Sequence, residues 1–259
     1  MLRQKFAKKP EIAAANIKVL NDGYNYGANT HASTSTYKIE SKIKTPGIYM
    51  DIKGNKATAY GFIAAAEKAG LKLFLGSYPI TPATDVLHEL SKHKSLGVIT
   101  VQCEDEISGC ATAIGASFAG ALAVTTTSGP GVCLKSEAMN LAVITELPLV
   151  VLNVQRGGPS TGLPTKSEQT DLLQALFGRN GESPMPVIAA TSPTNCFDAA
   201  YAACKMALEH MTPVVLLTDG FVANGSGSWK LPNLDTYPEI KPQYVTPEMK
   251  DNYTPYKRN

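Results

Sequence analysis

Three consecutive acidic residues lie between one apolar segment of the sequence and one amphipathic segment. The segment GVITVQ from Gly97 predicts a buried strand, and Glu104, Asp105 and Glu106 separate it from a predicted helix. Acids at a helix N-terminus complement the helix dipole and accept hydrogen bonds from free amides, which accounts well for Asp105 and Glu106. The alternative is a carboxyl group held at a pocket, where it can hydrogen-bond a heterocycle nitrogen and share a proton. Three acids cannot serve the dipole equally, so we expect one to be available for chemistry.

Arg156 follows an almost wholly apolar segment, LPLVVLNVQ, and precedes a turn rich in glycine and proline. A guanidinium at the end of a buried strand needs a partner, and a substrate carboxylate is one candidate. An ion pair with Glu104, Glu168 or Asp171 is an equally good alternative on this reasoning. The connection from Gly157 to Asp171 is long for a strand-to-helix loop, which indicates a binding loop.

Two further turns follow predicted strands. SGPG at Ser128 to Gly131 has small residues that let a backbone or a ligand approach closely, but it matches neither phosphate-binding pattern, GxxxxGK[ST] or GxGxxG. A tight turn between strand and helix is therefore the favoured interpretation. Thr81, in the turn YPITP, would on its own be read only as a helix cap.

Apolar strand candidates alternate with amphipathic helices from Asn55 to Leu217, which predicts an α/β fold with a mostly parallel sheet covered on both faces. The ligand of such a sheet sits beyond the carboxyl ends of its strands, so the polar turns above should gather on one rim. The predicted strands are LKLFLG from Leu71, GVITVQ from Gly97, LAVTTT from Leu122, LPLVVLNVQ from Leu147, PVIAA from Pro186 and PVVLLTD from Pro213. The predicted helices are Lys56 to Ala69, Pro82 to His93, Glu106 to Gly120, Leu134 to Thr145, Gln169 to Phe177 and Thr194 to His210.

Composition narrows the class of protein. A chain of 259 residues, 44% hydrophobic and 18% charged, can bury one substantial core. Its formal net charge of +2 and its lack of long basic runs argue against binding to nucleic acid or an anionic membrane. The five cysteines include no CxxC pair, which argues against a disulfide framework, a metal site or iron-sulfur ligation on this chain. We expect a cytoplasmic protein, because no apolar run approaches the length of a membrane span.

Several of these segments together resemble the α subunits of 2-oxoacid:ferredoxin oxidoreductases, particularly the 2-oxoglutarate type. The similarity covers roughly Lys56 to Asp219, and the run from Arg156 to Thr165 is highly specific. The segments that carry it are YPITPAT from Tyr78, QCEDE from Gln102, AIGASFAGA from Ala113, TTTSGPG from Thr125, ITELPLVVLNVQRGGPSTGLPT from Ile144 and TPVVLLTD from Thr212.

The resemblance implies the thiamine-diphosphate-binding fold of the pyrimidine type, a three-layer sandwich that pairs with a diphosphate-binding domain. Glu104 matches the family glutamate that hydrogen-bonds the aminopyrimidine ring and is the implied catalytic residue. Thr81 and Arg156 match positions that hold the carboxylate of the 2-oxoacid, and Thr165 matches a further threonine of that pocket. The implied cofactor contacts of this chain, besides Glu104, are Tyr78, Pro79, Ser128 and Gly129.

The resemblance also implies a partner, because this chain lacks the family's GDG motif for diphosphate and magnesium and lacks cluster cysteines. A β subunit should supply both, and coenzyme A and ferredoxin should act through the assembled complex. Residues 1–52 resemble the end of a γ domain, 53–222 form the predicted pyrimidine-binding domain, and 223–259 resemble a linker to a further domain. We therefore expect an excised or truncated chain that is inactive alone, with a naturally short subunit as the alternative.

Two alternatives remain open at this stage. One is a dimerisation or cofactor-binding module that keeps the fold without turnover, which the combination of Thr81, Glu104 and Arg156 disfavours. The other is the same chemistry on pyruvate or branched-chain 2-oxoacids. A preference for 2-oxoglutarate needs a positive group for the distal carboxylate, for which Lys166 and Arg179 are candidates.

Overall fold

A computed structural model describes residues 1–31, 33, 35, 37–38, 40 and 45–254. The chain divides into two units, Met1–Pro46 and Gly47–Asn259. The α-helices are α1 (Leu2–Lys5), α2 (Pro10–Thr30), α3 (Gly54–Ala69), α4 (Thr84–Leu90), α5 (Glu106–Phe118), α6 (Gly129–Leu134), α7 (Ser136–Ile144), α8 (Leu172–Phe177), α9 (Cys196–His210) and α10 (Gly220–Asn224). The strands are β1 (Tyr49–Lys53), β2 (Leu73–Ser77), β3 (Val98–Gln102), β4 (Leu122–Thr127), β5 (Leu149–Gln155), β6 (Val187–Ala189), β7 (Pro213–Asp219) and β8 (Ser226–Lys230).

The first unit contains α1 and α2. Helix α2 begins with Pro10 at its first turn, where proline's missing amide costs nothing, and ends at His31 in the left-handed conformation. The apolar residues of this segment predict only a short helix followed by a linker up to about Ile52; they are Ile12, Ala15, Ile17, Val19 and Leu20. The helix has 21 residues, most of them exposed, so its apolar pattern is weak.

The second unit is built on six strands in the order β3-β2-β4-β5-β7-β6, and every neighbouring pair in this sheet is parallel. All residues of β4, β5 and β7 are buried. Strands covered on both faces read as continuous apolar runs, which explains why the sequence placed these strands correctly. The predicted α/β sandwich with a parallel sheet is confirmed.

Helices cover both faces of this sheet. Alternate residues of β5 point to opposite faces, so Val150 belongs to the core beneath α3 and α9, and Val151 to the core beneath α5 and α7. Helices α3 and α9 cross closely at Gly61, where an added Cβ would lie 2.4 Å from the Phe197 carbonyl oxygen. The result is a three-layer arrangement of helix, sheet and helix.

Strands β1 and β8 form a separate antiparallel pair, with Met50 opposite Trp229. Trp229 is buried and its ring packs against Phe197 of α9. Further along the chain, Ile240 is also buried in this core. The sequence predicts linkers at the end of residues 1–52 and over residues 223–259, whereas the structure has strand β1 in the first segment and strand β8 in the second. The domain bounds 1–52, 53–222 and 223–259 stay a prediction.

Two predicted helices near the carboxyl ends of the strands begin later than expected. The helix expected over Leu134 to Thr145 is preceded by α6, which begins inside SGPG, and Lys135 separates α6 from α7. The helix expected from Gln169 begins only at Leu172. Gln169 and Asp171 instead hydrogen-bond the ends of neighbouring strands, which keeps their backbone outside the helix.

None of the helices in the described part of the chain is both long enough and apolar enough to span a membrane.

Candidate functional site

The carboxyl ends of β3, β2, β4 and β5 lie side by side on one edge of the sheet, as predicted. After β2 the chain first adds β3 on one side and then returns to add β4 on the other, so a topological switch lies between β2 and β4. Ligands of open α/β sheets bind in the crevice at such a switch. At this point Ser77 Oγ lies 2.7 Å from Thr126 Oγ1 and 3.0 Å from the Thr126 carbonyl oxygen, which ties the two strand ends together.

The three acids after β3 have different surroundings. Asp105 caps α5, because its Oδ1 accepts a hydrogen bond from the Ser108 amide at 2.7 Å, and hydrogen bonds from Ser108 lower the pKa of Asp105. The side chain of Glu106 packs on Gly131, where an added Cβ would lie 2.8 Å from Glu106 Cγ. Glu104 is exposed, and its carboxylate has no hydrogen bond or ion pair within the described residues. Glu104 is therefore the acid left available for a ligand.

The SGPG turn packs tightly around small residues. Ser128 precedes α6, and its buried Oγ has no hydrogen-bond partner in the described structure. A Cβ on Gly129 would lie 3.0 Å from Asp171 Oδ2, and a Cβ on Gly131 would lie 2.0 Å from Thr127 Oγ1. The glycines are required by close packing, and the unsatisfied hydroxyl of Ser128 is a polar group for which a ligand is the natural partner.

Arg156 is 8% exposed and hydrogen-bonds neutral groups. Its Nη1 donates to the Thr81 carbonyl oxygen at 2.6 Å and its Nη2 to the Thr161 carbonyl oxygen at 2.7 Å, whereas its buried Nε has no partner in the described structure. The guanidinium thus joins the loops that follow β2 and β5. Its charge is not neutralised by any carboxylate of the described residues.

The ion pair that the sequence left open for Arg156 is therefore not formed. Glu168 instead accepts a hydrogen bond from the Gly158 amide at 2.6 Å. Asp171 accepts one from Asn153 Nδ2 at 2.9 Å. Both carboxylates are used to hold the loop that follows Arg156.

The loop from Gly157 to Asp171 is fixed at several points. The Gly157 amide donates to the Lys166 carbonyl at 2.8 Å, and Gln169 Nε2 donates to Asp219 Oδ2 at 2.8 Å. Gly162 has φ of 58°, and a Cβ there would lie 1.9 Å from the Gly157 carbonyl oxygen, so only glycine fits. A long loop that is held this closely offers its side chains in defined positions, as a binding loop must.

A cavity of about 710 Å³ opens beside this loop. It brings together Arg156 and Gly129 from the predicted site, together with Cys133. The remaining predicted residues do not line it. Tyr78 and Thr81 are exposed, Pro79 is partly buried and Ser128 is buried, all directly after β2 or β4 at the rim; Thr165 is exposed in the loop. The residues that line the cavity are Gly129, Pro130, Cys133, Leu134, Arg156, Gly158, Pro159, Ser160, Thr161, Glu168, Thr170, Asp171 and Gln174.

Sequence reasoning missed the buried polar residues beneath this rim. Gln155 Oε1 accepts from the Asp171 amide at 3.0 Å, and Asp219 Oδ1 caps α10. Lys135 is fully buried, and its Nζ donates a hydrogen bond to the Glu106 carbonyl oxygen. In the sequence, such a residue is a polar side chain that follows apolar neighbours, as Gln155 does in LNVQ and Lys135 in VCLK. A polar side chain that is buried there must find its hydrogen-bond partner inside the protein.

Comparison with known proteins identifies the family. The family model "Pyruvate flavodoxin/ferredoxin oxidoreductase, thiamine diP-bdg" matches residues 64–258. The chain belongs to this family. The thiamine-diphosphate-binding domain of the oxidoreductase family accounts for the parallel sheet and the rim described above, and the resemblance seen in the sequence is confirmed.

Individual relatives of the oxidoreductase family agree. The chain is 56% identical to the 2-oxoglutarate oxidoreductase subunit KorA of Mycobacterium tuberculosis over 100% of its own length and 39% of that protein. It is 42% identical to the 2-oxoglutarate synthase subunit KorA of Archaeoglobus fulgidus over 71% of its length and 52% of that protein. The chain thus spans about two fifths to one half of these relatives.

A solved structure is similar over nearly the whole chain. It is the 2-oxoglutarate:ferredoxin oxidoreductase from Magnetococcus marinus with 2-oxoglutarate, coenzyme A and succinyl-CoA bound. The TM-score is 0.83 and the identity 34%, over 95% of this chain and 42% of that chain.

The residues at the rim fit thiamine diphosphate. The free carboxylate of Glu104 can accept or share a proton with a ring nitrogen, and the unpaired hydroxyl of Ser128 lies after β4, next to the topological switch. Among the described residues no group of three or more His, Cys, Asp or Glu side chains is placed to hold a metal ion.

Proposed function

We propose that this chain supplies the pyrimidine-side half of the active site of a thiamine-diphosphate-dependent 2-oxoacid:ferredoxin oxidoreductase. The reaction is the oxidative decarboxylation of 2-oxoglutarate or a related 2-oxoacid to an acyl-coenzyme A, with reduction of ferredoxin. Bound thiamine diphosphate supplies the carbanion stabilisation that this decarboxylation needs. The residues of this chain bind, orient and transfer protons.

The observation that carries the proposal is the unpaired carboxylate of Glu104 at the end of β3, which lies next to β2, one of the two strands that flank the topological switch. Its two neighbours are used, Asp105 as a helix cap and Glu106 in packing on Gly131, whereas Glu104 makes no contact of its own with a hydrogen-bonding group of the described residues. Its proposed role is to hydrogen-bond a ring nitrogen of the aminopyrimidine and to share a proton at that atom. A carboxyl group is suited to this because it can both accept and donate the proton.

Tyr78, Pro79, Ser128 and Gly129 are the proposed further contacts of the cofactor. They follow β2 and β4, the two strands that flank the topological switch. The buried and unsatisfied Ser128 Oγ supports a polar contact there. Gly129 supports close approach, since it lines the cavity and has no side chain.

Arg156 is the proposed anchor of the 2-oxoacid carboxylate, with Thr81 and Thr165 as neighbouring donors. Its guanidinium lines the cavity, bears a charge that no described carboxylate neutralises, and has a buried Nε without a partner. A carboxylate that bound at Nε would satisfy this atom and place a negative charge beside the guanidinium. Thr81 meets Arg156 through its backbone carbonyl, so its hydroxyl remains available to a ligand.

The relatives named for 2-oxoglutarate favour that substrate over pyruvate or branched 2-oxoacids. Of the two cations proposed for its distal carboxylate, Arg179 is held by the carbonyls of Ala175, Leu176 and Ser183. Lys166 is exposed in the loop that follows Arg156 and makes no side-chain ion pair within the described residues. Lys166 is therefore the better candidate.

A β subunit is the proposed partner. It would bring the diphosphate and magnesium site and the iron-sulfur cluster, because this chain has neither the GDG motif nor CxxC pairs. Coenzyme A and ferredoxin would act through the complex, in the cytoplasm. Helices α6 and α8 flank the rim and leave Leu134, Leu172 and Phe177 exposed, which supports contact with another chain.

The test is reconstitution of this chain with its β subunit, followed by reduction of a viologen dye with 2-oxoglutarate, pyruvate and a branched-chain 2-oxoacid. The complex should reduce the dye fastest with 2-oxoglutarate, and the separate chains should be inactive. Replacement of Glu104 by Gln should lower kcat roughly 10²- to 10⁴-fold, the usual contribution of a positioned acid or base.

The matched control is Glu67→Gln, which changes an exposed carboxylate on α3 in the opposite helical layer. This variant should behave like the wild type. A reconstituted complex that is inactive with every 2-oxoacid would contradict the proposed function, and an active Glu104→Gln complex would contradict the role of Glu104.

A further inference from the structure

Lys135 is the one fully buried lysine of the described residues. It lies between α6 and α7. Its Nζ donates to the Glu106 carbonyl oxygen at 2.6 Å and to Thr125 Oγ1 at 3.2 Å. The ammonium therefore joins the first residue of α5 to the middle of β4.

This position is an expensive one for a cation. Both hydrogen-bond acceptors are neutral, and burial lowers the pKa of Lys135 because the charged form is removed from water. An apolar side chain of similar volume is often the more stable choice at such a site. A lysine at this position therefore does more than fill space. Its two hydrogen bonds show which parts of the chain its ammonium group holds.

The hydrogen bond to Glu106 acts on the backbone that carries Glu104. The carbonyl of Glu106 lies two residues after Glu104, in the first turn of α5. Glu104 has no side-chain hydrogen bond in the described structure that could hold it in place. The backbone at Glu104 therefore sets where this side chain starts and which region its carboxylate can reach.

Two close contacts restrict the same turn of α5. The side chain of Glu106 packs on Gly131, as described above. On the sheet side, a Cβ on Gly76 would lie 2.5 Å from the Gly109 carbonyl oxygen, so the first turns of α5 touch β2 directly. These contacts prevent the helix from moving closer to the sheet. The Lys135 hydrogen bond adds the attraction that holds the helix against β4.

We propose that Lys135 is a positioning residue, which fixes the first turn of α5 so that the Glu104 carboxylate faces the cofactor's ring. This role rests on the proposed function of Glu104. It is independent of any direct contact between Lys135 and a ligand.

The test is a double-mutant cycle on thiamine diphosphate binding, measured by calorimetry on the complex with the β subunit. Lys135→Met keeps most of the length and the apolar volume of the side chain and removes its donor. It should weaken cofactor binding roughly tenfold when Glu104 is present and by less than about twofold in a Glu104→Ala background. Equal losses in both backgrounds would show a merely structural role and overturn the proposal.

Thr125→Val provides a milder variant with the same logic. It removes one acceptor of Lys135 and preserves the shape of the side chain. If Lys135→Met prevents assembly of the complex, the cycle is carried out with Thr125→Val. We expect Thr125→Val to weaken cofactor binding by less than Lys135→Met does, and only when Glu104 is present. The matched control, Lys205→Met on α9, changes a partly exposed lysine that pairs with Glu209 and should leave cofactor binding unchanged.

The outcomes separate the two proposals. Normal cofactor binding by Lys135→Met, beside an inactive Glu104→Gln complex, would overturn the role of Lys135 alone. Normal turnover of the Glu104→Gln complex would overturn the proposed function of Glu104 and the role of Lys135 with it.

Discussion

Arg156 Nη1 and the Thr81 carbonyl oxygen lie 2.6 Å apart and join the loops after β2 and β5 across the rim of the sheet. Strand β4 separates these two strands in the sheet, so the hydrogen bond passes above the end of β4. The guanidinium consequently has two functions in our proposal. It holds two loops together, and it offers its charge and its unpaired Nε to a carboxylate.

Replacement of Arg156 by Gln tests this dual role. The variant loses the charge while it keeps an amide donor for one loop carbonyl, so we expect KM for the 2-oxoacid to rise much more than kcat falls. The loss in kcat/KM should correspond to about 2 to 5 kcal/mol, the scale of truncating one partner of a buried charge pair. Steady-state kinetics of the complex with the β subunit measure both constants.

The affinity for thiamine diphosphate provides the contrast for Arg156→Gln. It should change little, because the proposed cofactor contacts lie at β2, β3 and β4. Arg3→Gln, on an exposed turn of α1, is a charge-matched control for the kinetics. An unchanged KM in Arg156→Gln would argue against carboxylate binding at this residue.

A second prediction concerns stability and compares a glycine of the SGPG turn with a glycine of α5. Gly131→Ala places a Cβ 2.0 Å from Thr127 Oγ1, between parts of the chain that cannot withdraw easily. We expect it to lower the free energy of unfolding by about 1 to 3 kcal/mol, the usual cost of overpacking. Gly115→Ala on α5 has open space around the added Cβ and should raise stability by about 0.5 to 1 kcal/mol.

Chemical denaturation of the two alanine variants against the wild type measures both changes. The pair is informative because the substitution is identical and only the surroundings differ. Similar stability of both variants would mean that the turn can relax and that Gly131 is not required by packing.

The sheet and the rim could be predicted from the sequence because they depend on local patterns. Each strand of the central sheet is a short apolar run, and the polar residues that follow these runs gather on one edge whenever the strands are parallel. The division of the three acids was also predictable in part, since one helix start needs only one cap. Asp105 is that cap, and Glu104 is the acid that remains.

Other features depend on contacts between distant segments, and local patterns carry little information about these. Strand β1 pairs with β8 through segments of mixed polarity, YMDIK and SGSWK, that have no strong strand signal. The partners of Arg156 are backbone carbonyls, whose directions depend on loop conformation and not on residue type. The sequence therefore indicates that Arg156 is a buried guanidinium that needs hydrogen-bond partners, but it does not indicate which groups those partners are.

Cysteine reactivity provides a third prediction. Burial raises the pKa of Cys110 and of Cys196 to about 11, and it raises the pKa of Cys204 further, whereas Cys133 is exposed and lines the cavity beside Arg156. Because the thiolate is the reactive species, iodoacetamide near pH 8 should modify Cys133 before the three buried thiols. Peptide mass spectrometry of the folded chain over time measures the order.

The modification should also affect turnover. A bulky maleimide at Cys133 should occupy the cavity and inhibit the complex, and Cys133→Ser should make the complex insensitive to the reagent. Rapid labelling of Cys204 in the folded chain would contradict its burial in the core. Inhibition that persists in Cys133→Ser would assign the effect to another cysteine.

The cap formed by Asp105 gives a prediction for the dependence of stability on pH. Hydrogen bonds from the backbone and side chain of Ser108 lower the pKa of Asp105 in the folded chain. The unfolded chain therefore binds a proton at this position more readily than the folded chain does. The stabilisation is fully present above the unfolded pKa of about 3.9 and is lost as the pH falls through the lower folded pKa.

Asp105→Asn isolates this contribution, because asparagine also caps helices well but does not titrate. At neutral pH the variant should be close to the wild type in its free energy of unfolding. Below about pH 4 the wild type should lose stability more steeply than the variant, so that the variant becomes the more stable of the two. Urea titrations of both proteins at several pH values between about 3 and 6 measure the two curves. Parallel curves over this range would show that the Asp105 carboxylate is not held by the amide of Ser108 in solution.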